Sequence, residues 1–233
     1  MTRARRLSRS SDPDARVLGK WLDAATKEAL LPMSVASSVY MRTARRNLLG
    51  ALMARLEKDG WQESSIVAVT IIHPKWYFRA GALHEADPRN IKKQLQNSLE
   101  RFGVTAEEGI FWAALDGEFD GDGYQLHFHG IATGPKANLI RCMSGRVGFT
   151  STSTIQRPIE CSNVSDLRGW LSYSLKSYWI ERRRYLNSHG KPRRTSKRAL
   201  GTPQTQEVLM WLAAQHLESL MIHSGLGSNP WGA

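Results

Sequence analysis

The sequence predicts an α+β fold in which helices pack on an antiparallel sheet. Residues 66–72 and 110–133 are rich in apolar and β-branched residues, which is typical of strands, and the Asp-Gly steps at 120–123 favour a hairpin turn. Three segments have apolar residues at the spacing of amphipathic helices, namely 89–102, 165–184 and 203–223. A central hairpin with helices before and after it is the basis of this fold class.

The remaining elements follow from local pattern and charge. Residues 1–15 are basic and polar, and we expect a flexible arm there. A short helix is expected at 137–146 and a strand at 154–160. The predicted layout is an arm at 1–15, an N-terminal helical extension at 16–60 with a break near Pro32, a central domain at 61–184, a basic loop at 185–202, and a C-terminal helix and tail at 203–233.

Composition points to a polyanionic partner. The 32 Lys and Arg residues exceed the 21 Asp and Glu residues, and the net charge of +11 favours nucleic acid. Much of the charge lies in one basic segment, whose members are Arg182, Arg183, Arg184, Lys191, Arg193, Arg194, Lys197 and Arg198. We expect these side chains to hold phosphates through salt-sensitive contacts.

The sequence also excludes some classes of protein. No apolar run reaches the roughly 18 residues of a membrane helix, and the first residues lack the apolar core of a signal peptide. Cys142 and Cys161 do not have the spacing of a metal-binding pair, so we expect reduced thiols. The expectation is a cytoplasmic protein without membrane association.

Two histidines on the second hairpin strand are candidate metal ligands. Residues two apart on a strand face the same side, so His127 and His129 project side by side while Phe128 points into a core. Two neutral imidazoles are a ready pair of ligands for a divalent metal. The competing interpretation is a pair of hydrogen-bonded histidines without a metal.

A carboxylate on the first hairpin strand can complete this set. If the turn centres on 121–122, Asp116 lies opposite His127 and Glu118 lies opposite Gln125. Two histidines and one carboxylate leave coordination positions open, which suits a catalytic metal better than a structural one. The third ligand is therefore Glu118 or Asp116.

A tyrosine and a lysine on the helix at 165–184 are candidate catalytic residues. Tyr173 and Lys176 are three residues apart and hence neighbours on the helix surface. A tyrosine beside a lysine near a metal can act as a nucleophile towards phosphate, although an ordinary surface tyrosine is the competing interpretation. The core stripe of this helix comprises Leu167, Leu171, Leu175 and Tyr178. Tyr178 is therefore assigned a structural role.

Together these residues resemble the HUH endonuclease superfamily, and most closely its rolling-circle replication initiators. The metal motif of that family, His-hydrophobic-His, is similar to His127–His129. A Glu a few residues upstream usually completes the site, which favours Glu118 over Asp116. The nucleophile motif Tyr-x-x-Lys is similar to Tyr173–Lys176, and an early apolar strand containing Thr is similar to residues 67–72.

The resemblance implies a ferredoxin-like (RRM-like) palm with extra helices at both ends of the chain. It implies a Mg²⁺- or Mn²⁺-dependent enzyme that nicks and rejoins single-stranded DNA at the origin of a plasmid, phage or similar element. Tyr173 would form a 5′-phosphotyrosine link and release a 3′-hydroxyl, with Lys176 stabilising the phosphate or the phenolate. The implied partners are single-stranded DNA, with an origin hairpin as target, and a host helicase.

Two features differ from many replication initiators. A second tyrosine often follows the first by four residues, whereas the next tyrosine here is Tyr178, five residues on. This spacing favours a one-tyrosine enzyme. The sequence also has no Gly-x-x-x-x-Gly-Lys-Ser/Thr segment, so it lacks the P-loop of a fused helicase.

Other functions stay open from the sequence. A relaxase or a single-strand transposase would use the same chemistry on a different DNA target. A non-catalytic nucleic-acid-binding protein would use the basic segment alone. A metal hydrolase would activate water with His127, His129 and Glu118 and would not need Tyr173.

Overall fold

The computed structural model describes residues 3–27, 34–146 and 148–227. The helices are α1 (Arg3–Ser8), α2 (Pro13–Lys27), α3 (Ser38–Lys58), α4 (Pro88–Arg101), α5 (Gly134–Met143), α6 (Leu167–Ser174) and α7 (Thr202–Ala213). The strands are β1 (Ile66–Arg79), β2 (Phe111–Phe119), β3 (Gly123–Thr133), β4 (Ile159–Asn163), β5 (Ile180–Glu181), β6 (Arg184–Leu186), β7 (Pro192–Arg194), β8 (Arg198–Ala199) and β9 (Met221–Ser224). None of the described helices has both the length and the apolar composition needed to cross a bilayer.

Seven of these strands form one mostly antiparallel sheet, which confirms the α+β class. The order is β4-β1-β3-β2-β5-β8, and β9 pairs with the part of β2 that precedes its contact with β5. Only β2 and β5 run parallel within this sheet. Strands β6 and β7 form a separate hairpin, which we call the arginine hairpin.

The pairing of β2 with β3 has the predicted register. Asp116 lies opposite His127, and Glu118 lies opposite Gln125. The turn between these strands is closed by the side chain of Asp120, which accepts hydrogen bonds from the backbone amides of Asp122 and Gly123 at 3.1 and 3.0 Å. An Asp that binds the backbone two residues on is typical of such turns, so the local sequence sets the register.

The sheet separates two hydrophobic cores. Alternate residues of β3 point to opposite faces, so Phe128 packs in the core beneath α4, α5 and α7, whereas Ile131 packs beneath α3 and α6. His127 and His129 share the face of Ile131. Helices α3 and α6 cover the part of this face around Ile131, and the two histidines line a cavity beside that covered part.

The helix predicted at 165–184 is shorter than expected and ends at Ser174. Its leucines are buried as predicted: Leu167, Leu171 and Leu175. Trp179, however, belongs to the core on the other face of the sheet, where its ring lies against Gly117. The chain must leave the helix to pass around the edge of β2, and it forms β5 as it does so.

The structural role predicted for Tyr178 is wrong. Because α6 ends at Ser174, Tyr178 is not on the leucine stripe, and 55% of its surface is exposed. The expected strand at 154–160 is found later in the chain, as β4. The short helix expected at 137–146 is confirmed as α5, three residues earlier at each end.

The chain ends are more ordered than the sequence suggested. In place of the flexible arm, α1 packs on α2 at Gly19, and Leu7 is fully buried. The predicted helical extension is present as α2 and α3, while the break near Pro32 and the last tail residues lie outside the described residues. The final helix ends at Ala213, and Met221–Ser224 pairs with β2 as a strand. Within the predicted basic loop lie β7 and β8.

Gly130 allows β2 and β3 to approach behind the two histidines. A Cβ atom at this position would lie 1.9 Å from the carbonyl oxygen of Trp112. Gly130→Ala should therefore lower the free energy of unfolding by about 1–3 kcal/mol, as overpacking in a core does. The measurement is urea-induced unfolding.

Gly50→Ala is the matched control, because a Cβ atom at Gly50 in α3 meets nothing within 4 Å. This change should raise the free energy of unfolding by about 0.4–1 kcal/mol, since it restricts the unfolded chain at a helical position. Equal effects of the two substitutions would contradict the close approach described for Gly130.

Candidate metal centre

A cluster of three buried side chains could hold a metal ion. It consists of Asp116 from β2 and of His127 and His129 from β3, with one ligand atom of each within 4.8 Å of the others. The two Nε2 atoms are 2.9 Å apart, and Asp116 Oδ2 lies 3.6 Å from that of His127 and 3.8 Å from that of His129. These separations form a triangle whose centre is about 2 Å from each atom, close to the length of a metal bond to nitrogen or oxygen.

Hydrogen bonds orient both imidazoles. Nδ1 of His127 donates to the carbonyl oxygen of Gln125 at 3.1 Å, so its Nε2 carries the lone pair. Nδ1 of His129 lies 2.9 Å from the hydroxyl oxygen of Thr70 on β1. When Nδ1 of His129 donates to Thr70, its Nε2 is unprotonated and faces the unprotonated Nε2 of His127. A cation between these two Nε2 atoms removes their repulsion. Metal-binding histidines commonly have such a partner on the second nitrogen.

Burial keeps the two histidines neutral. It lowers the pKa of His127, against the opposing effects of its backbone hydrogen bond and of the Glu118 charge. It lowers the pKa of His129 to about 2, with smaller contributions from His127 and from the positive charge of Lys197. Neutral imidazole is the form that binds a metal, so both residues are ready to do so at neutral pH.

The Asp116 carboxylate is almost fully buried, and its Oδ1 has no hydrogen-bond partner among the described residues. Its charge is balanced by the ammonium group of Lys176, which contacts Oδ2. Burial lowers the pKa of Lys176 to about 7, with a further contribution from Lys197, and the contact with Asp116 opposes this shift. A carboxylate beside two imidazole lone pairs is a donor set that fits a divalent cation.

Asp116, and not the favoured Glu118, completes this cluster. Glu118 accepts a hydrogen bond from Arg194, and Arg182 lies 3.8 Å from its other oxygen. The register explains the difference, since Asp116 is directly opposite His127 while Glu118 is two residues further along β2, beside the arginine hairpin. A resemblance based on sequence spacing could not detect those arginines.

Helix α6 brings Tyr173 to the cluster. Two carboxylates hold its N-terminus. Asp166 is the N-cap and accepts a hydrogen bond from the amide of Gly169, and Glu63 accepts one from the amide of Leu167. The indole of Trp170 donates to the carbonyl oxygen of Gly130 on β3 at 2.7 Å, which fixes the helix beside the histidine strand.

The phenol of Tyr173 lies beside the imidazoles of this cluster. Its ring centre is 5.3 Å from that of His129 and 5.9 Å from that of Trp170, with which it stacks. Lys176 Nζ lies 4.4 Å from the same ring centre. Burial, followed by the charges of Glu118 and Tyr178, raises the pKa of Tyr173, and Arg182 opposes them. The phenol is therefore protonated at neutral pH and must lose a proton to act as a nucleophile.

One cavity of about 640 Å³ joins these groups. It is lined by the metal cluster, Tyr173 and Lys176, and by three members of the predicted basic segment: Arg182, Arg194 and Lys197. The other five members do not line this cavity: Arg183, Arg184, Lys191, Arg193 and Arg198. Arg183 pairs with Glu181, and Arg184 pairs with Asp120. Arg184 and Arg193 line a neighbouring cavity of about 410 Å³ on the arginine hairpin.

Sequence reasoning missed two residues that support this site. Thr70 lies opposite His129 in the pairing of β1 with β3, and its strand had been singled out for its threonine. Trp170 precedes Tyr173 by three residues, which places both on one side of α6. The helical spacing was a usable signal for Trp170, whereas the partner of Thr70 depends on strand pairing that the sequence did not define.

Substitution of the two carboxylates should separate their roles. Asp116→Asn should raise the Kd for Mn²⁺ by more than about tenfold, because even the loss of a residue that only hydrogen-bonds a metal ligand lowers metal affinity by about that factor. Glu118→Gln should leave the Kd nearly unchanged, because its partners are arginines. The measurement is isothermal titration of the metal-free protein, with circular dichroism to verify folding.

The reverse order of effects would establish Glu118 as the ligand and contradict the cluster. Equal loss in both variants, with folding retained, would show that the metal responds to the net charge of the cavity and not to a defined ligand.

Comparison of the chain with protein-family models, with curated proteins and with solved structures gives no match.

Proposed function

We propose that this protein nicks and rejoins single-stranded DNA in a metal-dependent reaction in which Tyr173 is the nucleophile. The observation that carries the proposal is the position of the Tyr173 ring, 5.3 Å from the ring of His129, in the cavity of the Asp116, His127 and His129 cluster. A tyrosine, three candidate metal ligands and a cationic rim are the parts that phosphoryl transfer to a protein hydroxyl requires.

The proposal includes the resemblance to HUH endonucleases. In support, β3 carries both histidines at the centre of the sheet, flanked by β1 and β2, and α4 connects those two strands. This arrangement is compatible with a ferredoxin-like palm. His127 and His129 line one cavity with Tyr173 and Lys176, although more than forty residues separate the two histidines from Tyr173 in sequence.

The reaction would proceed by one displacement at phosphorus. The Tyr173 oxygen attacks the scissile phosphate, the bond to the 3′-oxygen breaks, and the strand stays attached through a 5′-phosphotyrosine. The phenol proton passes to water, and the positive charge of Lys176, whose Nζ lies 4.4 Å from the centre of the Tyr173 ring, stabilises the phenolate. The departing 3′-oxygen gains a proton from water, and the reverse reaction rejoins the strand without ATP. A bound Mg²⁺ or Mn²⁺ would polarise the phosphate and offset its developing charge.

The cationic rim suits the substrate. Arg182, Arg194 and Lys197 line the cavity beside Tyr173, and Arg193 extends the positive surface along the arginine hairpin. Arg182 and Arg194 are held by Glu118. We infer that they bind phosphates of a single strand, and that the role in the cell is initiation of rolling-circle replication of a plasmid, phage or similar element.

Tyr173→Phe should abolish a covalent protein–DNA product. The wild-type protein is incubated with labelled single-stranded oligonucleotides, including candidate origin hairpins, and with Mg²⁺ or Mn²⁺. A denaturing gel should show a metal-dependent adduct for wild type and none for Tyr173→Phe. Tyr185→Phe is the matched control, because Tyr185 is half-exposed on the arginine hairpin, and it should form the adduct as wild type does.

Other results would overturn the proposal in defined ways. Cleavage without an adduct in both proteins would favour a hydrolase that activates water at the metal cluster. DNA binding without any product from a well-chosen origin pool would favour a non-catalytic binding protein.

Removal of charge from the rim should weaken binding and its salt dependence. The double change Arg193→Gln and Lys197→Gln removes two proposed phosphate contacts. The slope of log Kd against log salt should fall in magnitude by about 1.4, since each contact to a single strand contributes about 0.7. Fluorescence anisotropy at several salt concentrations gives the slope.

The control removes the same charge from α4 on the opposite face of the sheet, through Lys93→Gln and Arg101→Gln. It should leave the slope unchanged. A similar fall in both double variants would mean that net charge, and not the rim, determines binding.

A further inference from the structure

A second cavity of about 360 Å³ lies where the chain leaves α6, and we call it the Tyr178 pocket. Its floor is apolar and includes Trp179, Val208 and Leu209, the last two from α7. Tyr178 stands at its edge with more than half of its surface exposed. The pocket is large enough to hold a planar ring against this floor.

The rim of the Tyr178 pocket is cationic. Arg3 and Arg6 from α1 line it, together with Lys197 and Arg198. No Asp or Glu side chain lines the pocket in the part of the chain that the structure describes. An apolar floor with a positive rim is complementary to a nucleotide, which joins an apolar base to an anionic phosphate.

Tyr178 has the properties of a stacking residue. Within the described residues no aromatic ring stacks on it, whereas the other tyrosines of this region, Tyr124 and Tyr173, have ring partners. An exposed aromatic ring gains more from covering by a ligand than one already buried, because its surface is still in contact with water.

The Tyr178 pocket adjoins the cavity of the candidate metal cluster. Ile180 and Lys197 line both cavities, and Lys197 Nζ lies 5.2 Å from the centre of the Tyr173 ring. A strand with one phosphate at Tyr173 would therefore pass Lys197 and deliver an adjacent nucleotide into this pocket.

We propose that the Tyr178 pocket binds one nucleotide of the single strand next to the phosphate that Tyr173 attacks. Its base stacks on Tyr178 over the apolar floor, and its phosphate pairs with the cations of the rim. This inference rests on the proposed function and adds a position at which the enzyme holds its substrate. It also gives a role to α1, which forms a wall of the pocket through Arg6.

The test places 2-aminopurine, a fluorescent base that is quenched on stacking, at successive positions of mixed-sequence oligonucleotides. Binding is measured in EDTA, so that no cleavage occurs. Wild type and Tyr178→Phe should change the fluorescence strongly at one position, and Tyr178→Ala should not. The Kd of Tyr178→Ala should rise about tenfold, within the range for removal of a stacked aromatic residue. Trp21→Ala, at an exposed aromatic residue on α2 that lines neither cavity, is the control and should behave as wild type.

A fluorescence profile and a Kd that Tyr178→Ala leaves unchanged would overturn the inference. Adduct formation is measured in parallel to separate the two proposals. An adduct with no effect of Tyr178→Ala would remove the nucleotide pocket and leave the nicking function. A Tyr178-dependent signal without any adduct would establish the pocket and remove the tyrosine-linked chemistry.

Discussion

The pairing register of β2 and β3 is the constraint on which the site depends. It puts Asp116 directly opposite His127, and the alternation of strand residues adds His129 on the same face. A slip of β2 by one residue relative to β3 would turn Asp116 to the opposite face of the sheet and separate it from the two histidines. The turn at Asp120, with its hydrogen bonds to the following amides, and the close approach at Gly130 both fix this register.

Burial of the cluster then determines the charges around it. An almost fully buried carboxylate is costly unless a cation compensates it, and Lys176 does so for Asp116. Glu118 on the same face is compensated by Arg194. The site therefore contains two carboxylates that differ in their partners: one lies within reach of both imidazoles, and the other organises the arginines. Under the proposed function, this division would separate metal binding from the binding of the substrate phosphates.

The sequence was sufficient where local chemistry determines structure and insufficient where distant packing does. The register followed from the turn and the strand alternation, but the choice of Asp116 over Glu118 depends on arginines that fold back from a later hairpin. The early end of α6 depends on Trp179, which packs in the opposite core. Helix α1 is held in place by Leu7, which is fully buried against α2 near Gly19. The basic composition of the first residues does not reveal this packing.

The passage of the chain from one core to the other has a functional consequence. A helix extended to residue 184 would carry Tyr178 on its buried stripe and keep the following arginines away from β2. Because the helix stops at Ser174, the next residues turn around the edge of β2 and place Lys176 at Asp116, Tyr178 at a second cavity and Arg182 at Glu118. The burial of one tryptophan thus groups the proposed nucleophile, its lysine and the cationic rim around a single opening of the sheet.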